Sequence, residues 1–267
     1  MLEIFQYSFM LRAFAAGSII GIVAPLIGTF LVARRYSLIA DSLSHVALAG
    51  VAVGLLLGIY PLYTALAVVV VVALIIERLR ESGKLSGEIA LAIFLSGGLA
   101  VAVTLIGLSR GFSVDLFSYL FGSITTVRDT DVAVIAILGG LAVALIALFY
   151  KELFSISFDE EAARVSGIPT KALNNMLVIL TAVTVALSMR IVGILLTGAL
   201  MVIPVVSALY LARSFKQSLL FSSVLGLFSV ISGLFLAYYL NIPAGGAVVL
   251  FSLFLLVCAL VVNKTQS

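Results

Sequence analysis

The sequence has no tryptophan, a single cysteine (Cys258), a single histidine (His45), and charge on only 10% of its 267 residues. One cysteine excludes an intramolecular disulfide. The scarcity of charge excludes an ordinary soluble domain, in which about 25% of residues are charged and about 45–50% apolar. Here 63% are hydrophobic and mean hydropathy is +1.32. Also missing are a sequence repeat, a low-complexity tract, a second soluble domain and a G-x-x-x-x-G-K-[ST] phosphate loop; GKLSG at 83–87 lacks the first glycine. If ATP drives this protein, another polypeptide binds it.

What is present is a series of long apolar runs separated by short polar breaks. Each run is long enough to cross the hydrocarbon as a helix, which takes about 20 residues, and the weak alternation of a barrel is absent. The pattern predicts an all-α, polytopic transmembrane helix bundle of eight or nine spans forming a single domain over residues 1–267. The helices are placed near 9–33, 37–59, 61–77, 88–109, 131–150, 172–189, 191–212, 217–240 and 244–262. The first run lacks a basic leader and a small-residue cleavage site, so it reads as a retained span. FSVDLFSYLFGSI (112–124) is apolar enough to dip into the membrane as a re-entrant segment.

A net charge of +3 and a pI near 9.1 act here as an orientation signal and do not call for a nucleic-acid partner. With the N-terminus outside and the C-terminus inside, eleven of the fifteen basic residues fall on the cytoplasmic side, at Arg34/Arg35, Arg78/Arg80/Lys84, Lys151/Arg164/Lys171, Arg213/Lys216 and Lys264. Only Arg12, Arg110, Arg128 and Arg190 remain outside, as the positive-inside rule requires.

Eleven of the twelve acids sit at span ends or in loops, and Asp41 is the exception. An acid toward a helix centre costs about 2.5–3.5 kcal/mol on insertion scales, so it marks a functional site whose partner must be found. His45 lies four residues on, on the same helix face. A carboxylate and an imidazole so placed suit Zn²⁺ and are tolerated by Mn²⁺. Two ligands make half a site. The others must come from backbone, hydroxyls, water, a loop acid such as Asp115, or a second copy of the chain, and a two-fold homodimer is the favoured source. The competing readings are Asp41 as a helix N-cap or counter-ion to Arg34 or Arg35, and His45 as a neutral interhelical hydrogen-bonding residue.

The same helix carries Gly50, Gly54 and Gly58 at four-residue spacing, a ridge for close packing on the opposite face, and Gly17 and Gly21 read the same way. In GILLTGALMVIPVVSA (193–208), Pro204 is expected to kink the helix and Thr197 and Ser207 to offer hydroxyls to a pathway, or else to a packing kink. The loop SISFDEEAARVSGIPTK (155–171) has helix punctuation. Ser157 and Glu160 form an S-x-x-E capping box, Asp159 and Glu161 suit the positive end, Arg164 the negative end, and Gly167 and Pro169 stop it. A helix over 157–167 is too short to stand alone and is expected to dock on something.

Four stretches together, RRYSLIADSLSHVALAGVAVG (34–54), VDLFSYLFGSI (114–124), FDEEAARVSGI (158–168) and VGILLTGALMVIPVVSA (192–208), make the chain resemble the permease subunits of bacterial ABC importers for zinc, manganese and iron. The resemblance implies a homodimeric pore in the cytoplasmic membrane, a pair of ATP-binding subunits, and an extracytoplasmic binding protein that delivers the metal. It assigns Asp41 and His45 to the metal and the Asp159–Gly167 helix to the ATPase. It implies no permanently bound cofactor, only transported Zn²⁺ or Mn²⁺, and LSHVALAG leans toward the zinc members. Ligation needs neutral His45, so uptake is expected to weaken as pH falls through about 6.5. The rivals are a proton-coupled secondary transporter with Asp41 and His45 as relay and a non-transporting scaffold. An enzyme has too little to build on.

Overall fold

The computed structural model describes residue 4 and residues 6–83, 85–108 and 116–264. Lys84, Arg110 and the loop acid Asp115 lie outside the described residues. Among those described there are twelve α-helices and no strand, and nine of the helices are long and apolar enough to cross a membrane. The spanning helices are α1 (Ser8–Ala33), α2 (Leu38–Leu57), α3 (Pro61–Glu81), α4 (Gly87–Leu108), α6 (Asp129–Leu148), α9 (Thr170–Ser188), α10 (Thr197–Leu211), α11 (Phe215–Leu240) and α12 (Ala244–Lys264). Between them lie the short helices α5 (Leu116–Phe121), α7 (Tyr150–Phe158) and α8 (Glu160–Val165).

Local chemistry marks the helix ends. Pro61 opens α3, where its missing N–H costs nothing. Ser214 accepts from the Gln217 N–H to start α11. Gly58 and Asn241 close α2 and α11 in the left-handed conformation, at φ of 67° and 53°.

Small residues then set which helices touch. A Cβ at Gly21 would press on the Gly226 backbone of α11, one at Gly28 on the Met201 carbonyl of α10, and one at Gly50 on Ala65 of α3. Such close approach is how helices associate in lipid, where no hydrophobic force separates helix from solvent. The result is a bundle with α1 and α2 at its centre, 67% and 72% buried, while α4, α6 and α12 present mostly open apolar sides.

Two expectations need correction here. Gly58 does not belong to the packing ridge: nothing lies within 4 Å of the position a Cβ would take, and its role is the left-handed cap. The seventh span starts later than 191. Residues 189–193 form no helix, and a single 3₁₀ turn (Ile194–Leu196) precedes α10. The cause is a backbone crossing. Gly193 at φ 86° and Gly122 at φ 77° lie against each other's chain segments, and Gly245 of α12 closes on the Val192 carbonyl. The short helix α5 joins this crossing.

Candidate metal centre

Asp41 lies in the first turn of α2, which begins at Leu38 with Ser37 as its N-cap. It is therefore no N-cap. Nor is it the counter-ion of Arg34, whose Nη2 pairs with Glu160 Oε2 at 3.0 Å. Leu38, Asp41 and His45 form a stripe of α2 that stays at least partly open, while Ser42, Leu43, Ser44 and Val46 between and beside them are buried. Asp41 presses on the first turn of α10, so closely that a Cβ at Gly198 would collide with its Oδ1. The N-terminal turns of two helices thus surround one carboxylate, and both favour negative charge there. His45 backs onto Gly98 of α4. Its Nδ1 is buried and has no hydrogen-bond partner, so the imidazole is not engaged as an interhelical hydrogen-bonding group through that atom.

Among the described residues, no third His, Cys, Asp or Glu gathers with this pair. One chain supplies one carboxylate and one imidazole. Gly198 was not singled out in the sequence, although the stretch GILLTGALMVIPVVSA contains it; its significance depends on a contact 157 positions away in sequence.

The hydroxyls of the seventh span do something else than expected. Thr197 Oγ1 donates to the Gly193 carbonyl (2.7 Å) and Ser207 Oγ to the Ile203 carbonyl (2.9 Å), and both residues are buried, as is Pro204. Each hydroxyl is used by a carbonyl four residues back, and all three residues are buried among the described residues. Gly50 and Gly54 turn toward α3, where a Cβ would meet Ala65, Thr64 and Pro61, away from the Asp41 stripe.

The loop helix also differs from its prediction. Ser157 is the penultimate residue of α7, its Oγ donating to the Leu153 carbonyl at 2.7 Å, so it caps nothing. The buried apolar residues Leu153 and Ile156 carry α7 through this point, and the break comes at Asp159, whose backbone is extended and whose Oδ1 accepts from the Ala162 N–H at 2.9 Å. The helix α8 ends in a six-residue C-terminal motif from the Ile168 N–H to the Ala163 carbonyl, with Gly167 at φ 83°. Asp159, Glu161, Arg164 and Gly167 are exposed, whereas Glu160 turns inward. Burial raises the Glu160 carboxyl, but the Asn174 hydrogen bond and the Arg80 and Arg34 charges outweigh it and hold the group below its ordinary value.

The far end of the bundle carries a second charged cluster, unnoticed in the sequence. Arg190 (7% exposed) pairs with Asp131 Oδ2 at 3.7 Å and lies over the rings of Tyr60 and Tyr119 at 5.1 and 5.2 Å. The Tyr60 hydroxyl accepts from Arg190 and donates to Asp131 Oδ1 at 2.7 Å. Burial, then the bond to Asp131, pushes the Tyr60 phenol up to about 12, so it keeps the proton it donates. Arg190, Tyr60 and Tyr119, with Arg12 and Arg128, border an open cavity of about 730 Å³.

Nine helices long and apolar enough to cross a membrane, among the described residues, with one polar pair on a central helix, make a polytopic membrane bundle. The chain belongs to the ABC 3 transport family, whose description matches residues 6–263. A "Probable metal transport system membrane protein" of Treponema pallidum is 38% identical, with 98% of this chain and 97% of that protein covered. The "Manganese transport system membrane protein MntC" of Listeria monocytogenes is 32% identical, over 92% of this chain and 87% of its own. The "High-affinity zinc uptake system membrane protein ZnuB" of Haemophilus influenzae is also 32% identical, over 96% and 98%. The solved structure "PsaBC from Streptococcus pneumoniae in complex with Fab" superposes with a TM-score of 0.85 at 32% identity, covering 97% of this chain and 92% of that one.

Proposed function

We propose that this chain is the transmembrane permease subunit of an ATP-driven importer of a divalent transition metal, zinc first and manganese second. The observation that carries the reading is the Asp41/His45 stripe. It is partly open where the neighbouring Ser42, Leu43, Ser44 and Val46 are buried, its carboxylate is seated on α10 and its imidazole Nδ1 is unengaged. The similarity to zinc and manganese permeases supports a metal as cargo, at equal identity for the two named relatives. The lean toward zinc rests on LSHVALAG alone. The sequence carries no G-x-x-x-x-G-K-[ST] phosphate loop, and hydrolysis is assigned to a separate subunit docking at the exposed face of α8.

Two copies of the chain, related by a two-fold axis, bring two such pairs together and complete the coordination of a tetrahedral ion. An extracytoplasmic binding protein delivers the metal at the Arg190 end, where the cavity opens. Arg34, Arg80, Lys151 and Lys171 then lie in the cytoplasm, and the N-terminus lies outside. The metal is held transiently and must leave, so the site is weak by design.

The test is element analysis of the chain copurified with its ATPase and reconstituted in liposomes. ATP-driven accumulation of Zn²⁺ or Mn²⁺ that Asp41→Ala and His45→Ala each abolish is the expected result. Uptake by the chain alone under a proton gradient would make it a secondary transporter, and uptake intact in both variants would remove the pair from the pathway.

A further inference from the structure

Glu160 sits on the helix that is exposed for docking, yet its carboxylate points into the bundle. Oε2 accepts from Arg34 Nη2 at 3.0 Å and Arg80 Nη1 at 3.5 Å, and Oε1 accepts from Asn174 Nδ2 at 2.8 Å. One side chain thereby ties α8 to the ends of α1 and α3 and to the start of α9. The outer side of the same segment stays free: Phe158 is 66% and Val165 90% exposed.

The connection continues toward the metal pair. Arg80 also grips Glu77, which is 1% exposed, through bonds of 2.6 and 3.0 Å, and lies over the Tyr36 ring at 5.8 Å. Tyr36 belongs to the corner between α1 and α2. This corner is taut, with Arg35 at φ 55°, the Tyr36 N–H on the Leu31 carbonyl at 2.8 Å and the Ile39 N–H on the Tyr36 carbonyl at 3.2 Å. Asp41 follows within the first turn of α2. Arg164, 61% exposed and 3.6 Å from Oε1 on the same helix, is a third cation beside Glu160. Exchange of the carboxylate between the inner pair and the outer Arg164 would give it the two arrangements that an element needs to carry a conformational signal.

We propose that Glu160 is a positioning residue that transmits displacement of α8 through Arg34 and Arg80 to the α1–α2 corner, and so sets where Asp41 stands. This rests on the reading above, in which α8 meets the ATPase and Asp41 the metal. Glu160 is thus an internal relay, and the contact with the ATPase falls to its exposed neighbours on α8.

The experiment uses the complete permease–ATPase complex in liposomes, with Zn²⁺ and Mn²⁺ as probes, and reads metal accumulated per ATP hydrolysed. In Glu160→Gln and in Arg34→Gln, hydrolysis and copurification should stay within about twofold while the ratio falls about tenfold, and the double variant should be no worse than either single one. Glu160→Asp, which keeps the charge, should recover part of the ratio, and Glu81→Gln, at an exposed carboxylate of α3 outside the docking face, should leave it unchanged. An unchanged ratio in both Gln variants, with active wild type, overturns the relay alone. Loss of copurification in Glu160→Gln but not in Glu81→Gln makes Glu160 a scaffold for α8 and overturns it too. Failure of the wild-type complex to take up metal with ATP overturns the functional reading beneath it.

Discussion

At the scale of single residues, the chemistry turns on what each polar group touches. Asp41 and His45 stand out in the sequence because one is the only acid away from span ends and loops and the other the only histidine, and their i, i+4 spacing places them on one face. The contact that seats Asp41 could not be read there. At Gly198 the obstacle to a methyl group is the end of a side chain, so Gly198→Ala should fold normally while Asp41 is turned from its place. Metal retained by the purified complex should fall by about 10- to 100-fold, the usual cost of disturbing a ligand's support; undiminished retention in element analysis would show that α10 does not seat the ligand. Glu160 supplies a pH-dependent case. Its carboxyl is held below the ordinary 4.5 in the folded chain, so its stabilising share is complete above the ordinary value and is lost as pH falls through the lower, folded one. The difference in thermal midpoint between wild type and Glu160→Gln in detergent should be largest near neutral pH and close in acid. A difference indifferent to acid would mean that the carboxylate charge is not what binds α8.

At the scale of elements, hydropathy placed the spans to within a few residues because each must fill the hydrocarbon thickness with intrahelical hydrogen bonds. It failed where chain segments cross. The stretch from 189 to 196 has the composition of a helix, but Gly193 must take φ 86° to pass the backbone of Leu120 and Gly122. Here the obstacle is backbone, which cannot step aside as Asp41 can. Gly193→Ala should therefore destabilise the protein by about 1–3 kcal/mol, seen as a lowered unfolding midpoint, in contrast to Gly198→Ala. Equal midpoints for the two would show that the crossing is slack. The α7–α8 pair failed for a different reason. S-x-x-E is a valid start signal, yet the buried face of Leu153 and Ile156 continues α7 past Ser157 and leaves Asp159 to cap α8. Tertiary burial outweighed a local signal worth only about 1 kcal/mol.

At the scale of the whole molecule, a single chain presents one carboxylate and one imidazole, and the proposed site is complete only between two copies. Complexes assembled from one tagged wild-type chain and one tagged Asp41→Ala chain should then hold far less metal than the doubly wild-type complex. Retention of half the wild-type amount would instead indicate independent sites, one per chain. The open apolar sides of α4, α6 and α12 offer surface both for lipid and for a second copy, since in hydrocarbon the two are alike in polarity.

The sequence by itself determined that this is a helical membrane protein of eight or nine spans, where most of those spans fall, and that Asp41 and His45 are its exceptional residues. Composition, length and the price of charge in lipid suffice for that. Only the tertiary structure decided that Asp41 rests on Gly198, that Glu160 faces inward to Arg34, Arg80 and Asn174, and that Arg190 and Asp131 pair behind Tyr60. Each of these joins residues far apart in the chain, at a distance that no local propensity or hydropathy pattern encodes, and each depends on which helices small residues allow to approach.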